Sequence, residues 1–401
     1  MAYVPNLRFR SFSENWTRYC ASDLLESVTT NSLTWDDLNY DSGIVKNIHY
    51  GLIHKGFTET CISDKNPLIP WINGEKALKN YTLVGLGDLI LADASEDRKD
   101  VGKPIEIIDT HCVTVSGLHT IHAKDKTDYF IPGYKGFYFQ SSSMKNQIYK
   151  IANGSKIYGI SPNAFNELYI SIPNKNEQAK IVDLLIKIEE RISTQNKIIE
   201  DYSLLKDSII HQTFSMDYTK VKLSALLTEV SVRNKEEHIN NVLSVSNKLG
   251  FIKQSEQFED REVASNDTSN YKIVSKGDYA YNPARINVGS IARLIHYDKG
   301  IISPMYSCFR IDLNKITYTY FDMFLNSSSF NRQLNKRLEG SVRQCLTFEG
   351  MLSMSIELPP IEIQKSISDK IDMLNDIIKI EIDYRTALIK QKQYLLNNLF
   401  I

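Results

Sequence analysis

Hydrophobic positions recur along this chain in two different rhythms. From Glu177 to Phe214 the apolar residues Ile181, Leu185, Ile188, Ile192, Ile199, Tyr202 and Ile209 fall at steps of three and four, or multiples of them. That is the 3.5-residue period of a coiled-coil seam. Near the C-terminus Ile367, Ile371, Leu374, Ile378, Leu388, Leu395 and Leu399 keep the same frame. Each seam predicts a helix of about 38 residues, a rod about 57 Å long at about 1.5 Å per residue. Elsewhere the pattern is short and alternating, as in YTLVGLGDLILA (81–92) and GSIARLIHY (289–297), with Gly-Asp and Asn-Pro turn signals and one short amphipathic helix near SSFNRQLNKRL. The globular parts therefore read as α/β (α+β) domains.

The chain repeats itself. WTRYCASDLLESV (16–28) aligns with YTKVKLSALLTEV (218–230), and YTLVGLGDLILA with YKIVSKGDYAYN (271–282). SSSMKNQIYKIANGSK (141–156) aligns with SSSFNRQLNKRLEGSV (327–342), and Ile172–Phe214 with Leu358–Phe400. The offset drifts from 202 to 190 and then stays at 186. Insertions thus lie inside the globular part, and the long helix has one length in both copies. Four matches in one order make the chain two copies of a single unit. The expected partition is a first domain over 1–172, a helix over 173–215, a second domain over 216–358 and a final helix over 359–401.

The punctuation between domain and rod is written twice, as IPNKNEQAKIVDLL (172–185) and LPPIEIQKSISDKI (358–371). Pro173 and Pro360 stop a helix from running in from the domain behind, and Asn174, three residues before Glu177, suits a capping-box start. Gln195 in the first seam is matched by Glu381 in the second, with Arg385 following. If the rods pair antiparallel, these polar groups meet near the middle and form either a solvent-exposed break or a register-fixing polar layer. Antiparallel pairing is the expectation, because two like units in one chain commonly relate by a pseudo-twofold.

Composition narrows the class. With 401 residues, 42% hydrophobic and 24% charged, the chain has material for two or three ordinary cores and is not a disordered polymer. The net charge of -1 excludes a polycationic surface but not local basic patches. Cys20, Cys61, Cys112, Cys308 and Cys345 form no C-x-x-C pair, so neither a disulfide framework nor a zinc site is indicated. No 18-residue apolar run and no apolar leader core are present, so a cytoplasmic protein without a membrane span is expected.

Domain, proline turn, Glu-Gln and long helix, all written twice, resemble the DNA specificity subunit of type I restriction-modification systems (the HsdS family). The resemblance covers the whole chain, including the opening VPNLRF, and is most specific in the two proline-turn motifs. The second motif departs from the pattern with Ile363 in place of Glu. YNPARINVGSIARL (281–294) also resembles a stretch of one group of target-recognition domains. The resemblance implies two target-recognition domains in pseudo-twofold repeat, each reading half of a bipartite, non-palindromic sequence in double-stranded DNA, and an antiparallel coiled coil setting the unread spacer. It implies two adenine methyltransferase subunits docked on the seam helices and nuclease-translocase subunits joining them. No cofactor would be bound by this chain; S-adenosylmethionine, ATP and Mg would sit on the partners. A rod of about 57 Å bounds the spacing at about 17 base pairs.

The residues agree that catalysis lies elsewhere. No N-P-P-[YF] or D-P-P-[YF] tetrapeptide, phosphate loop or H-E-x-x-H helix occurs in the sequence. His119 and His122 lie in a strand-like GLHTIHAK, more simply core or surface histidines than metal ligands. Gly87-Asp88 and Gly277-Asp278 read as turns between strands.

Neither globular part is strongly basic: the net charge is -2 over 1–172 and +3 over 216–355. Phosphate contact therefore falls to local clusters and to partner subunits. The candidates are Lys145, Lys150, Ser155 and Lys156 in the first copy. In the second they are Arg332, Lys336, Arg337, Ser341 and Arg343, on a helix and the Gly-Ser loop after it. Arg285 and Asn287 join them from a turn-rich loop, since Arg reads guanine edges and Asn reads adenine edges. A solvated helix face is the simpler alternative for the basic helices. Two rival readings stand beside this one, a coiled-coil scaffold with two protein-binding domains and an enzyme of unrecognised chemistry.

Overall fold

The structure is a computed structural model that describes residues 4–236, 238–257, 267–340 and 344–401. It divides into two compact units, Met1–Ile198 with Glu381–Ile401, and Ile199–Ile380. Each unit is a mixed α/β domain closed by portions of two long helices, Lys175–Thr213 and Ile361–Asn398.

In the first unit a five-stranded sheet runs in the order Leu25–Val28, Thr120–Asp125, Leu89–Ala92, Pro104–Asp109, Cys61–Ser63. Its neighbours are antiparallel except the last pair, which is parallel. A four-stranded sheet accompanies it, with Thr114–Ser116 parallel to Lys46–Ile48. Thr17–Cys20 pairs antiparallel with Tyr169–Ile172 and delivers the chain to the first long helix. There Asn174 accepts the Glu177 amide at 3.0 Å, which is half of a capping box; the Glu177 carboxylate turns instead to Arg8, 2.7 Å away.

The second unit repeats this plan, with one strand fewer in its main sheet among the described residues. Leu227–Glu229, Ser307–Ile311, Tyr279–Tyr281 and Ile291–Arg293 form an antiparallel sheet in that order. Val242–Ser246 and Lys299–Ile302 supply the parallel pair of the companion sheet, and Lys220–Lys222 pairs with Ser355–Glu357. Gly87 and Gly277 hold positive φ in the Gly-Asp turns, and a Cβ on Gly277 would stand 2.2 Å from the Tyr318 hydroxyl oxygen. Asp88 and Asp278 close these turns by accepting the amides of Gly85 and Ser275, at 2.7 and 2.9 Å. Asp88 also meets buried His122, on the strand Thr120–Asp125, at 2.7 Å, while His119 stands in the preceding turn with φ of 53°.

The sequence repeat is kept bond for bond. Gln178 donates to the carbonyls of Tyr129 and Pro173 and accepts from the Ile131 amide. Gln364, 186 residues on, donates to Lys315 and Pro359 and accepts from Thr317. Both glutamines are fully buried, and each staples a loop inside its domain, 126–133 or 312–317, to the first turn of its helix. Gln147 and Gln333 likewise each exchange two hydrogen bonds with one strand residue, Tyr169 or Ser355. The Glu of the motif has no such duty in the second unit, where Ile363 is 40% exposed. This is why the motif tolerates its loss.

The helices pair antiparallel. In the first unit Ile181, Leu185 and Ile188 share a core with Leu395, Leu396, Leu399 and Phe400. In the second, Ile210 and Phe214 share one with Ile371 and Leu374, with Tyr202, Ile209 and Ile367 packed beside it. Leu388 is buried, and Ile192, Ile199 and Ile378 are half-buried. Each domain is thus closed by the end of the other repeat's helix. Phe400 packs on Tyr134 and Tyr138 with centroids 5.7 and 5.6 Å apart, and Phe214 packs on Tyr320 and Phe324 at 5.3 and 5.7 Å. The polar layer in the first unit is real: Gln195, 4% exposed, donates its amide to the Glu381 carboxylate, and Arg385 donates to Asn196.

Candidate nucleic-acid interface

The basic helices form for local reasons. Ser141 caps Ser142–Ile151 by accepting the Met144 amide, and Ser327 caps Ser328–Asn335 by accepting that of Phe330. Met144 and Ile148 in one, and Phe330 and Leu334 in the other, face the core. That leaves Lys145 and Lys150, and Arg332 and Lys336, exposed. Arg337 is differently placed: its guanidinium donates to the Ser353 hydroxyl at 2.7 Å and to the Gln333 carbonyl at 3.1 Å. Ser155 and Lys156 stand exposed in the bend after Gly154, whose φ of +143° and approach to the Ile157 carbonyl exclude a side chain. Ser341 and Arg343 lie outside the described residues.

Lys145 has basic neighbours to which the sequence did not point. Lys103, Lys145 and Lys392 lie close enough to act on one another, with Asp100 opposing them. Partial desolvation, which reaches even the solvent-facing Lys145, draws Lys103 and Lys145 below the ordinary lysine range; Asp100 opposes it, and repulsion from Lys392 adds a smaller push downward. These lysines are distant in sequence, so no local motif announces the group.

In the second unit Arg285 is exposed at the edge of a cleft of about 340 Å³ lined also by Asn247, Gln254, Asn282 and Ser303. Asn287 faces a second cleft of about 450 Å³, shared with Asn247, Arg293 and His296. No carboxylate lines the first cleft among the described residues, and amides supply both donors and acceptors, the chemistry that reads base edges. Asn247 and Gln254 were not anticipated from sequence; Asn247 sits at the turn of the hairpin Val242–Ser246 and Gly250–Lys253, a signal available in NKLG. Arg293 is already committed to Asp322, at 2.7 Å, and lies over the Tyr318 ring.

The first unit offers rings instead. Trp35, 44% exposed, lies 4.4 Å from His49, which lies 4.6 Å from Tyr50, with His119 5.3 Å further on. Burial and the nearby His119 lower the His49 pKa, which favours the neutral ring. His49 itself is buried, so of this row Trp35, His119 and half-buried Tyr50 are what offer ring surface for stacking.

Among the described residues no group of acidic, histidine and cysteine side chains is arranged to hold a metal ion, and no helix is long and apolar enough to cross a membrane. No curated protein matches the chain. Its fold is similar, over 99% of both chains, to the crystal structure of a type I restriction-modification system S subunit from M. genitalium, with 15% identity and a TM-score of 0.56. It is similar to the same degree, with 14% identity and a TM-score of 0.56 over 95% of this chain and 96% of the other, to a structure described as the basis of complex assembly and conformational transition of the type I R-M system. Residues 14–201 and 228–391, one stretch in each copy of the repeat, match the type I restriction modification DNA specificity domain. The doubled domain, the doubled glutamine staple and this doubled match agree, and the chain belongs to the family of type I DNA specificity subunits, the non-catalytic members of those systems.

Proposed function

We propose that the domains at 1–172 and 216–358 each read one half of a bipartite, non-palindromic DNA target, while the helices at 173–215 and 359–401 set the unread gap and dock two adenine methyltransferase subunits. The observation that carries this reading is conservation of frame with divergence of surface. Gln178 and Gln364 make the same three bonds 186 residues apart, yet one domain presents the rings of Trp35, Tyr50 and His119 around a buried His49 and the other amide-lined clefts. Two like frames carrying unlike surfaces suit two unlike half-sites.

Lys145, Lys150, Ser155, Lys156, Arg332 and Lys336 are assigned to the phosphate backbone, and Arg285, Asn287 and Asn247 to base edges. S-adenosylmethionine, ATP and Mg belong to the methyltransferase and nuclease-translocase partners, in the cytoplasm. Exposed apolar residues along the helices, among them Leu204, Leu205, Met373 and Tyr394, supply surface for docking.

The test is co-expression with the neighbouring methyltransferase in a methylation-free host, with modified adenines mapped by single-molecule sequencing. Two short defined blocks around a fixed gap, with one modified adenine on each strand, is the expected result. A stable complex that modifies a single undivided block would overturn the two-domain reading.

A further inference from the structure

Glu189 is nearly buried, 5% exposed, on the first long helix, and it ties three elements together. Its carboxylate accepts the Thr60 amide at 3.0 and 3.1 Å and the Thr60 hydroxyl at 2.6 Å. Lys392, from the second long helix and 15% exposed, donates to the same carboxylate at 2.6 Å. Thr60 is itself 1% exposed, and its carbonyl accepts the Glu106 amide at 2.9 Å, so the tie continues into the strand Pro104–Asp109. A carboxylate with these bonds and almost no water has one acceptable geometry. Rotation of either helix against the sheet would strand a buried charge.

The anchor lies in a stretch where the two copies differ in length. Between Val28 and Tyr81 the first copy carries 12 residues that the second lacks, which is the drift of the repeat offset from 202 to 190. That longer stretch of the first copy includes Thr60 and the parallel edge strand Cys61–Ser63, whereas among the described residues the corresponding sheet of the second unit ends at Ile291–Arg293. At the 186-residue offset Glu189 corresponds to Asn375, and Lys392 to Lys206. Lys206 still donates to Asn375, at 2.8 Å, but that pair is exposed and lies on the helices alone.

We propose that Glu189 is a positioning residue, fixing the azimuth of the first domain on the helix pair so that only one spacer length is accepted. This rests on the reading of the helices as the spacer. If the domain could swing, the reading surface would reach half-sites one base pair nearer or farther.

The experiment uses the full chain with its methyltransferase and a library of targets whose gap varies by one base pair at a time. Glu189→Gln and Thr60→Val are the test variants, Thr60→Ser the conservative one and Asn375→Ala the comparison in the second unit. Thermal unfolding of each separates loss of fold from loss of position, and Thr60→Val, nearly isosteric, keeps the test open where Glu189→Gln folds poorly. Losing a buried charge-assisted bond is expected to lower the preference for the native gap over its neighbours about tenfold or more. Thr60→Ser and Asn375→Ala should keep the native preference. Unchanged preference in both test variants overturns the proposal while leaving the split target intact. If the unaltered chain modifies no split target, the spacer reading falls, and the proposal falls with it.

Discussion

Gln195 donates its side-chain amide to the carboxylate of Glu381, its own counterpart in the repeat, 186 residues away. A residue that meets its counterpart marks an antiparallel pair of like helices. Its burial decides between an exposed break in the seam and a polar layer, in favour of the layer. Replacing Gln195 alone with Leu leaves Glu381 without this donor beside an apolar neighbour, and should cost about 1 to 3 kcal/mol. The double change to Leu should recover that loss while weakening the choice of register. Urea unfolding of the single and double variants, with a spin-label pair across the helices reporting register, checks both statements.

The glutamine staples give a paired prediction. Gln178→Leu and Gln364→Leu each abandon two carbonyls and one amide in a buried loop, and each should cost about 3 kcal/mol, at about 1 kcal/mol per bond. Because the bonds are the same, the two losses should agree within about 1 kcal/mol. Glu177→Ala breaks a pairing with Arg8 that the second unit does without. Denaturant midpoints that differ widely between the two glutamine variants would show that the staples are not equivalent.

Glu106 gives the first unit a component of stability that fades toward neutral pH. Glu106 is raised from the ordinary 4.5 to about 7, chiefly by desolvation, against the pull of Lys135 and the amides of Gly136 and Gly133. A carboxyl whose folded pKa lies above its unfolded value holds its proton in the fold. Its contribution is therefore full below about pH 4.5 and is lost as pH rises toward 7. The loss amounts to about 3 kcal/mol at most. Glu106→Gln should flatten stability across that window and be relatively more stable at pH 8, read from urea unfolding at several pH values. A variant with the same pH slope as the unaltered chain excludes Glu106 as the source.

The basic helix of the second unit separates contact from scaffold. Lys336→Ala should weaken DNA binding by the methyltransferase complex about equally across sequences and lower the salt slope by about one counterion. Arg337→Ala should leave the salt slope alone and lower stability by about 1 to 3 kcal/mol, because its guanidinium is spent on Ser353 and Gln333. Helical spacing made both residues contact candidates and could not tell them apart.

That pair shows where sequence reading stopped. The seams, the antiparallel pairing and the two mixed domains were legible because period and repetition are one-dimensional signals that survive without contacts. The Lys103, Lys145 and Lys392 group was not, since nothing local in the chain links residues so far apart. Nor was the anchoring by Thr60 and Glu189: the shift in repeat offset showed that the copies differ in length before Tyr81, but only the fold shows that Thr60 from this stretch meets the helix. The amide-lined clefts were half visible, through Arg285 and Asn287, and their far wall arrives from a hairpin about forty residues upstream.

The helices carry the most direct test. Four residues inserted at matched positions in both lengthen each by about 6 Å at about 1.5 Å per residue, close to two base pairs of about 3.4 Å. They also rotate the downstream part of each helix by about 40°, since four residues exceed one turn of 3.6. The recognised gap should therefore grow by one or two base pairs, with reduced activity where the rotated domain meets a turned groove. Half-site sequences should stay unchanged, because the insertion touches neither reading surface. Methylation mapping of the lengthened chain reads gap and half-sites together. A longer gap with the same half-sites makes the helices the ruler; full activity on the original gap removes them from that role and places the spacing in the domains or the methyltransferase.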